Sequence, residues 1–457
     1  MVEAEPLVLL QLTMTSHTKP SAMDSANASK PILVVIGTMD TKAAEINYVA
    51  NQINNAGILV RTIDVSTSQS VDVGCDISPE QLLTFLRTDE GDKPGGPRGT
   101  EFPQSIEELA KLDRSRAIEL MSNALVAFLR SQYLEGNLQG AIGLGGSGGT
   151  ALIAPALRAL PIGVPKILVS TVASGNIAPY VGCSDVIMHP SIVDVAGLNA
   201  VSTRILSNAA NALVGMATGP SPDHPTRPAL AMTMFGVTTP CVTGVRQALE
   251  RSGFDCLVFH ATGVGGQAME GLVSSGLVSG ILDLTTTEVA DEVVGGVFRA
   301  GPKRFDVLAD RRIPCVLSVG AMDMVNFGAL STVPEEFRTR NLHIHNSNVT
   351  LMRTTPEENR QCARWIAKKL SKSISPVHVL LPILGLSALD SPGKPFHDPI
   401  ADSALFVELE KSLAGLDNVR VERVEAHIND QAFIERAIEV FQNLLHETQS
   451  KAGTYSS

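Results

Sequence analysis

Short runs of consecutive aliphatic residues alternate along this chain with longer segments whose apolar positions recur every three or four residues. Residues 31–36, 58–65, 140–144 and 166–172 are aliphatic runs, the pattern of strands buried on both faces. Between them, 41–56 carries apolar side chains at 43, 46, 49, 50 and 53, one face of a helix. The stretch 106–134 predicts a long helix broken in two, 151–160 a helix directly after a strand, and 198–216 another helix. Glycine, proline and charge crowd 88–102, which predicts an exposed loop.

Four prolines within 218–228 exclude a helix or central strand there and predict an interdomain linker. The alternation then restarts. Residues 229–235, 255–260, 277–284, 314–319, 342–345, 377–381 and 419–424 read as strands with helices between, and 431–449 as a closing helix. The pattern predicts an α/β fold: two Rossmann-like doubly wound subdomains with mostly parallel sheets, 31–217 and 229–449, facing a shared cleft. Residues 1–30, rich in Ser, Thr and Ala from 13 on, predict a disordered segment, and 450–457 a flexible tail.

Composition narrows the function classes. Of 457 residues 44% are hydrophobic but only 4% aromatic, so the cores are aliphatic. The net charge of −11 comes without a basic stripe, which argues against nucleic-acid binding. No apolar run is long enough to span a bilayer. The apolar stretch 6–12 follows Glu3 and Glu5 where a signal peptide carries Lys or Arg, so the expected location is the cytoplasm. Six scattered cysteines with no CxxC pair fit that reducing compartment.

The densest signal is Gly140-Ala-Ile-Gly-Leu-Gly-Gly-Ser-Gly-Gly-Thr150, between a predicted strand and a predicted helix. Glycine permits positive φ and leaves backbone amides uncovered, and a helix N-terminus favours an anion, so a phosphate cradle at Gly146, Ser147, Gly148, Gly149 and Thr150 is expected. Gly143-x-Gly145-x-x-Gly148 also satisfies the dinucleotide fingerprint, but the acidic residue that holds the ribose is missing from 166–172. Gly143-x4-Gly148-Gly149-Thr150 resembles a P-loop with glycine where the lysine belongs. A tight strand–helix turn with no ligand is the remaining alternative.

Polar residues gather at the other strand ends. Thr38, Asp40 and Thr41 end the first strand, where Asp40 or Thr41 also suits a helix N-cap. Asp64 and Ser66 end the second, a place for an adenosine ribose. Ser170, Thr171, Ala173, Ser174 and Gly175 follow the strand at 166, with Asp185, Asp194 and Asn199 beyond. In the second half, 259–270 repeats the strand, glycine turn and helix, and His260, Glu270, Asp283, Glu288, Asp323 and His345 are candidate catalytic residues. His343 and His345 share a strand face, followed by Asn346 and Arg353. That set suits a divalent metal or acid–base work, though its spacing matches no firm metal motif.

Gly37-Thr-x-Asp-Thr-Lys42, Gly143-Leu-Gly-Gly-Ser-Gly-Gly-Thr150, Ser170-Thr-Val-Ala-Ser-Gly175 and Asp194-x-x-Gly-x-Asn199 together resemble the ATP-binding domain family of the tomato mosaic virus resistance protein. So do His260-Ala-Thr-Gly, Asp283-Leu-Thr-Thr-Thr-Glu288 and His345-Asn346. The resemblance covers about 31–445 and implies ATP bound by the first subdomain, through Thr38, Asp40, Thr41, Asp64 or Ser66, Gly146–Thr150, Ser170–Gly175 and Asp194, and a homodimer. Mg²⁺ is the expected counter-ion. The antiviral role of the plant protein is not expected to transfer. The leading expectation is a cytoplasmic ATP-binding protein, with a small-molecule substrate if it is an enzyme and Glu288 or His260 as base. The alternatives are a non-catalytic ATP-dependent protein-binding module and an NAD-dependent oxidoreductase.

Overall fold

The structure, a computed structural model, describes residues 32–68, 74–87, 102–220 and 227–453. The expected disordered segment 1–30, nearly all of the loop 88–102 and the middle of the proline-rich linker lie outside the described residues. The chain divides into two compact units. The first holds the described residues up to Leu157 together with Pro165–Gly175 and Met188–Gly219; the second holds Arg158–Val164, Asn176–Ile187 and everything from Pro220 on. The main division falls between Gly219 and Pro220, and two short excursions from the first half belong to the second unit. Local pattern carries no trace of such long-range grouping.

In the first unit β1 (Ile32–Gly37), β2 (Leu59–Asp64), β3 (Gly140–Gly145), β4 (Lys166–Ser170) and β5 (Ile187–Pro190) form a sheet of order β2-β1-β3-β4-β5. The pairs β1/β2, β1/β3 and β3/β4 are parallel. Alternation along each strand serves both faces. Leu33, Val35, Ile142, Leu144, Ile167 and Val169 pack with Ile46, Val49 and Ile53 of helix Met39–Asn55 and Leu206 and Leu213 of helix Ala200–Thr218. The predicted break at 106–134 is real: Ile106–Leu109 is one turn, and Arg114–Leu134 starts afresh behind the cap Asp113.

The second unit contains β6 (Ala229–Met234), β7 (Asp255–His260), β8 (Gly280–Thr285), β9 (Cys315–Gly320), β10 (Met324–Phe327), β11 (Leu342–Asn346), β12 (Val349–Arg353), β13 (Val377–Pro382) and β14 (Val419–Val424). Six of them make an all-parallel sheet of order β14-β13-β9-β8-β6-β7. Leu317 and Val319 join the core on one face, and Val316 joins the core on the other, which is why these strands read as unbroken apolar runs. The strand expected at 342–345 lies elsewhere. It is the edge of a separate antiparallel sheet, β10-β12-β11, whose other two strands the sequence pattern did not reveal.

Candidate functional site

In the first sheet the chain leaves β1 toward β2 on one side and leaves β3 toward β4 on the other. Loops at such a switch point diverge, and a crevice opens off the carboxyl ends of the two strands. A cleft of about 1140 Å³ lies there, lined by residues of this unit alone. Of the expected ATP contacts, Thr38, Asp40, Thr41, Gly146, Ser147, Gly148, Gly149, Ser170, Thr171, Ser174 and Asp194 line it. Asp64, Ser66, Thr150, Ala173 and Gly175 do not.

The glycine loop works differently from its expected geometry. None of its glycines has positive φ. Gly145 is required by close approach instead: a Cβ there would stand 2.8 Å from the backbone of Gly149 and Thr150. Gly143 is required by packing, with Ile153 and Leu168 at 2.7 and 2.8 Å. Gly146, Gly148 and Gly149 meet nothing closer than 3.5 Å. They leave the first turn of helix Ser147–Ala159 without side-chain cover, so its unpaired amides and positive dipole end face the cleft.

Several expected ligands turn out to hold the cleft's wall. Helix Met39–Asn55 begins behind Thr38, which makes no side-chain cap bond, and Asp40 and Thr41 lie in its first turn, so neither is the N-cap. The capping is done from β2's end. Asp64 Oδ1 accepts the Met39 amide at 2.9 Å, and Ser66 Oγ accepts the Asp40 amide at 3.1 Å. Asp64, only 2% exposed, also accepts the Ser66 amide and hydroxyl at 2.9 and 2.5 Å. Thr150, fully buried, shares a hydroxyl hydrogen bond of 2.5 Å with Ser170 and ties the helix to the end of β4.

On the cleft's rim, Thr38 and Thr41 hydroxyls are 3.0 Å apart, and Asp40 Oδ2 accepts from Ser68 at 2.9 Å. Lys42 donates to the Val195 carbonyl at 2.5 Å, anchoring the loop that carries Asp194. That loop holds Ile192 at φ 64°, a β-branched residue in the left-handed region and 73% exposed at the cleft. Leu112, Ile118 and Leu152 add apolar surface, and Arg114 adds a cation. Sequence reasoning missed Arg114, one charge among several between Lys111 and Arg116.

In the second unit the candidate catalytic residues sort into three sets. Glu270, Asp283 and Glu288 surround Arg304, at 2.8, 2.6 and 3.1 Å. Glu288 Oε1 also accepts the amides of Gly263 and Gly266 at 2.7 and 3.1 Å, so it caps helix Val264–Ser274. Burial pushes the Glu270 carboxyl up despite the guanidinium, and the three acids hold Arg304 well above its usual range against the burial that would lower it. Asp323 belongs to a second set, with Asp390 and Asp402 near Arg353, which pairs with Asp402 at 2.6 Å. Burial raises both Asp323 and Asp402. His260 and His345 are exposed and hydrogen-bond to neither set among the described residues. His260 stacks edge-on against Phe235, and His343 against Phe396. Among the described residues no group of three or more His, Cys, Asp or Glu is placed to hold a metal ion. Nor, among them, is any helix long and apolar enough to cross a membrane.

Comparison with known proteins places the chain. Residues 31–222 match the Uncharacterised protein family (UPF0261) N-terminal domain, and 227–445 match that family's C-terminal domain. A UPF0261 protein of Rhizobium meliloti (strain 1021) is 47% identical over 412 residues, 90% of this chain and 98% of that one. The ToMV resistance protein Tm-1(GCR237) of Solanum lycopersicum is 44% identical over 438 residues, which cover 92% of this chain and 56% of that protein. A solved UDP-N-acetylglucosamine 2-epimerase from Rickettsia bellii is 9% identical and covers 63% of this chain and 79% of its own. Its TM-score of 0.20 carries no argument. With both domain models matched in order and the Rhizobium meliloti relative this similar over nearly its whole length, the chain belongs to the UPF0261 family.

Proposed function

We propose that this protein binds ATP in the cleft of its first unit, with the phosphates against the uncovered amides that open helix Ser147–Ala159. The observation that carries the reading is the coincidence of three things at one switch point: the crevice, the helix N-terminus and the glycines that leave it bare. Hydroxyls of Thr38, Thr41, Ser147 and Thr171 suit ribose and phosphate oxygens, and Leu112, Ile118 and Ile192 suit the base. Mg²⁺ takes one or two carboxylates and completes its shell on phosphates, a role that fits Asp40 or Asp194. The motif resemblance supports ATP over other nucleotides, and the six unpaired cysteines support a reducing, cytoplasmic setting.

One observation favours a binding module over an enzyme that uses the second unit's acids. Glu270, Asp283 and Glu288 are engaged with Arg304 inside the fold. Calorimetric titration with ATP, with and without Mg²⁺ and with NAD as control, tests the reading. Saturable ATP binding that is lost when Gly148 and Gly149 are replaced by bulky residues, in protein that stays folded, is expected. No ATP binding under either condition refutes it, and steady ADP release would favour the enzyme.

A further inference from the structure

The cleft departs from a P-loop at one position. Gly149 stands where a lysine would neutralise the outer phosphates, so a polyphosphate there needs a cation from another element. Lys42 lines the cleft, but its ammonium is bound to the Val195 carbonyl. Arg114 is placed otherwise. It is the first residue of helix Arg114–Leu134, and its Nη2 lies 3.5 Å from where a Cβ would stand on Gly148, in the first turn of the phosphate-facing helix.

Two features make that placement costly to the fold and useful to an anion. A cation at the first position of a helix opposes the helix dipole, and here it also stands beside the N-terminal turn of a second helix. Nor does a carboxylate relieve it. Asp113, its neighbour in sequence, has its carboxylate turned to the amides of Ser115 and Arg116 at 3.0 Å each, and among the described residues Arg114 has no hydrogen-bonded or ion-paired partner. An uncompensated guanidinium at a site of positive potential is stabilised by a bound anion, and its planar fork matches phosphate oxygens.

We infer that Arg114 is the cation that clamps the phosphates in this cleft, taking over from the lysine the glycine loop lacks. The inference rests on the nucleotide reading above and adds a selectivity to it. Ligands carrying two or more phosphates are held through Arg114, whereas adenosine is indifferent to it.

Calorimetric titration of the full chain and of Arg114→Gln and Arg114→Lys with ATP, tripolyphosphate and adenosine tests it. Losing one charge-assisted contact should weaken ATP and tripolyphosphate roughly tenfold or more in Arg114→Gln. Arg114→Lys should recover part of that loss, and adenosine should bind all three proteins alike. Thermal unfolding without ligand should show Arg114→Gln no less stable than the parent, since the side chain is exposed and opposes its helix dipole. If the parent binds ATP and Arg114→Gln binds it equally well, the inference is wrong and the nucleotide reading stands. If Arg114→Gln loses adenosine in the same proportion as ATP, Arg114 shapes the cleft and does not clamp phosphate, which also overturns the inference. If the parent binds neither ATP nor tripolyphosphate, both readings fall.

Discussion

Replacing Arg304 with methionine should unfold the second unit's logic more than any change in its candidate catalytic acids. The guanidinium is almost fully buried and meets Glu270, Asp283 and Glu288 at 2.8, 2.6 and 3.1 Å, with acid side chains 13%, 2% and 0% exposed. Methionine fills similar volume but leaves three carboxyls without a countercharge. Removing one partner of a buried pair costs about 3–5 kcal/mol, and protonation of the stranded acids caps the loss. A cost of roughly 4 kcal/mol at pH 7.5 is therefore expected, a large share of a typical stability of about 5–15 kcal/mol. The sign with pH follows. Burial already raises the Glu270 carboxyl and Arg304 opposes that, so without Arg304 it rises further. The variant's folded state then binds more protons, and its deficit shrinks as pH falls toward 5. Urea unfolding followed by fluorescence of Trp365, the single tryptophan, reads this unit directly, because Trp365 packs on Phe305 beside Arg304. A cost below about 1 kcal/mol at both pH values would refute the reasoning.

Two other outcomes test the site and the fold. Gly145→Ala should destabilise by about 1–3 kcal/mol and weaken ATP binding, because its Cβ would meet backbone at 2.8 Å; Gly149→Ala meets nothing nearer than 3.7 Å and should fold with at least parental stability, as thermal melts of the pair will show. Burial pushes Asp291 up to about 7 from 3.8, against three N–H donors from Asn326 and Phe298. A folded pKa above the unfolded one contributes stability that is full below about 4 and is lost as pH rises through 7. Asp291→Asn should flatten that decline by up to about 1.4 kcal/mol per pH unit, measured as urea midpoints from pH 4 to 8, and an unchanged slope would count against it.

Strands were legible wherever burial on both faces wrote itself as an aliphatic run. Those that escaped are short or atypical. β5 is four residues ending His-Pro and largely solvent-facing, and β10 and β12 pair only with each other and with the edge strand β11. The small hydroxyls and glycines that line the first unit's cleft cluster at four strand ends in the sequence. The expectation, however, was a cleft shared by both subdomains, and this one is lined by the first unit alone. The roles of individual residues were less legible. Asp64 looked like a ribose acid and is a helix cap supplied from the neighbouring strand, a contact that local spacing cannot encode. Arg304, which organises half of the presumed catalytic set, sits in Lys303-Arg304-Phe305-Asp306, a string that reads as surface.

The two glycine turns look alike in sequence and differ because of the strands they follow. Both sheets place their first strand beside their third, giving each a switch point, β1/β3 in one and β6/β8 in the other. The first unit's turn follows β3, at the switch, and its helix opens on the cleft. The second unit's turn follows β7, an edge strand, and there Gly263 at φ 79° admits a different solution. Glu288 reaches the amides of Gly263 and Gly266, so the anion that this helix N-terminus favours is supplied from within the chain. At the β6/β8 switch point Thr238 and Thr285, both fully buried, share a hydroxyl bond of 2.7 Å. Of these two turns, the one after β3 at the switch point leaves its helix amides facing a cleft, whereas the one after the edge strand β7 is capped from within the chain.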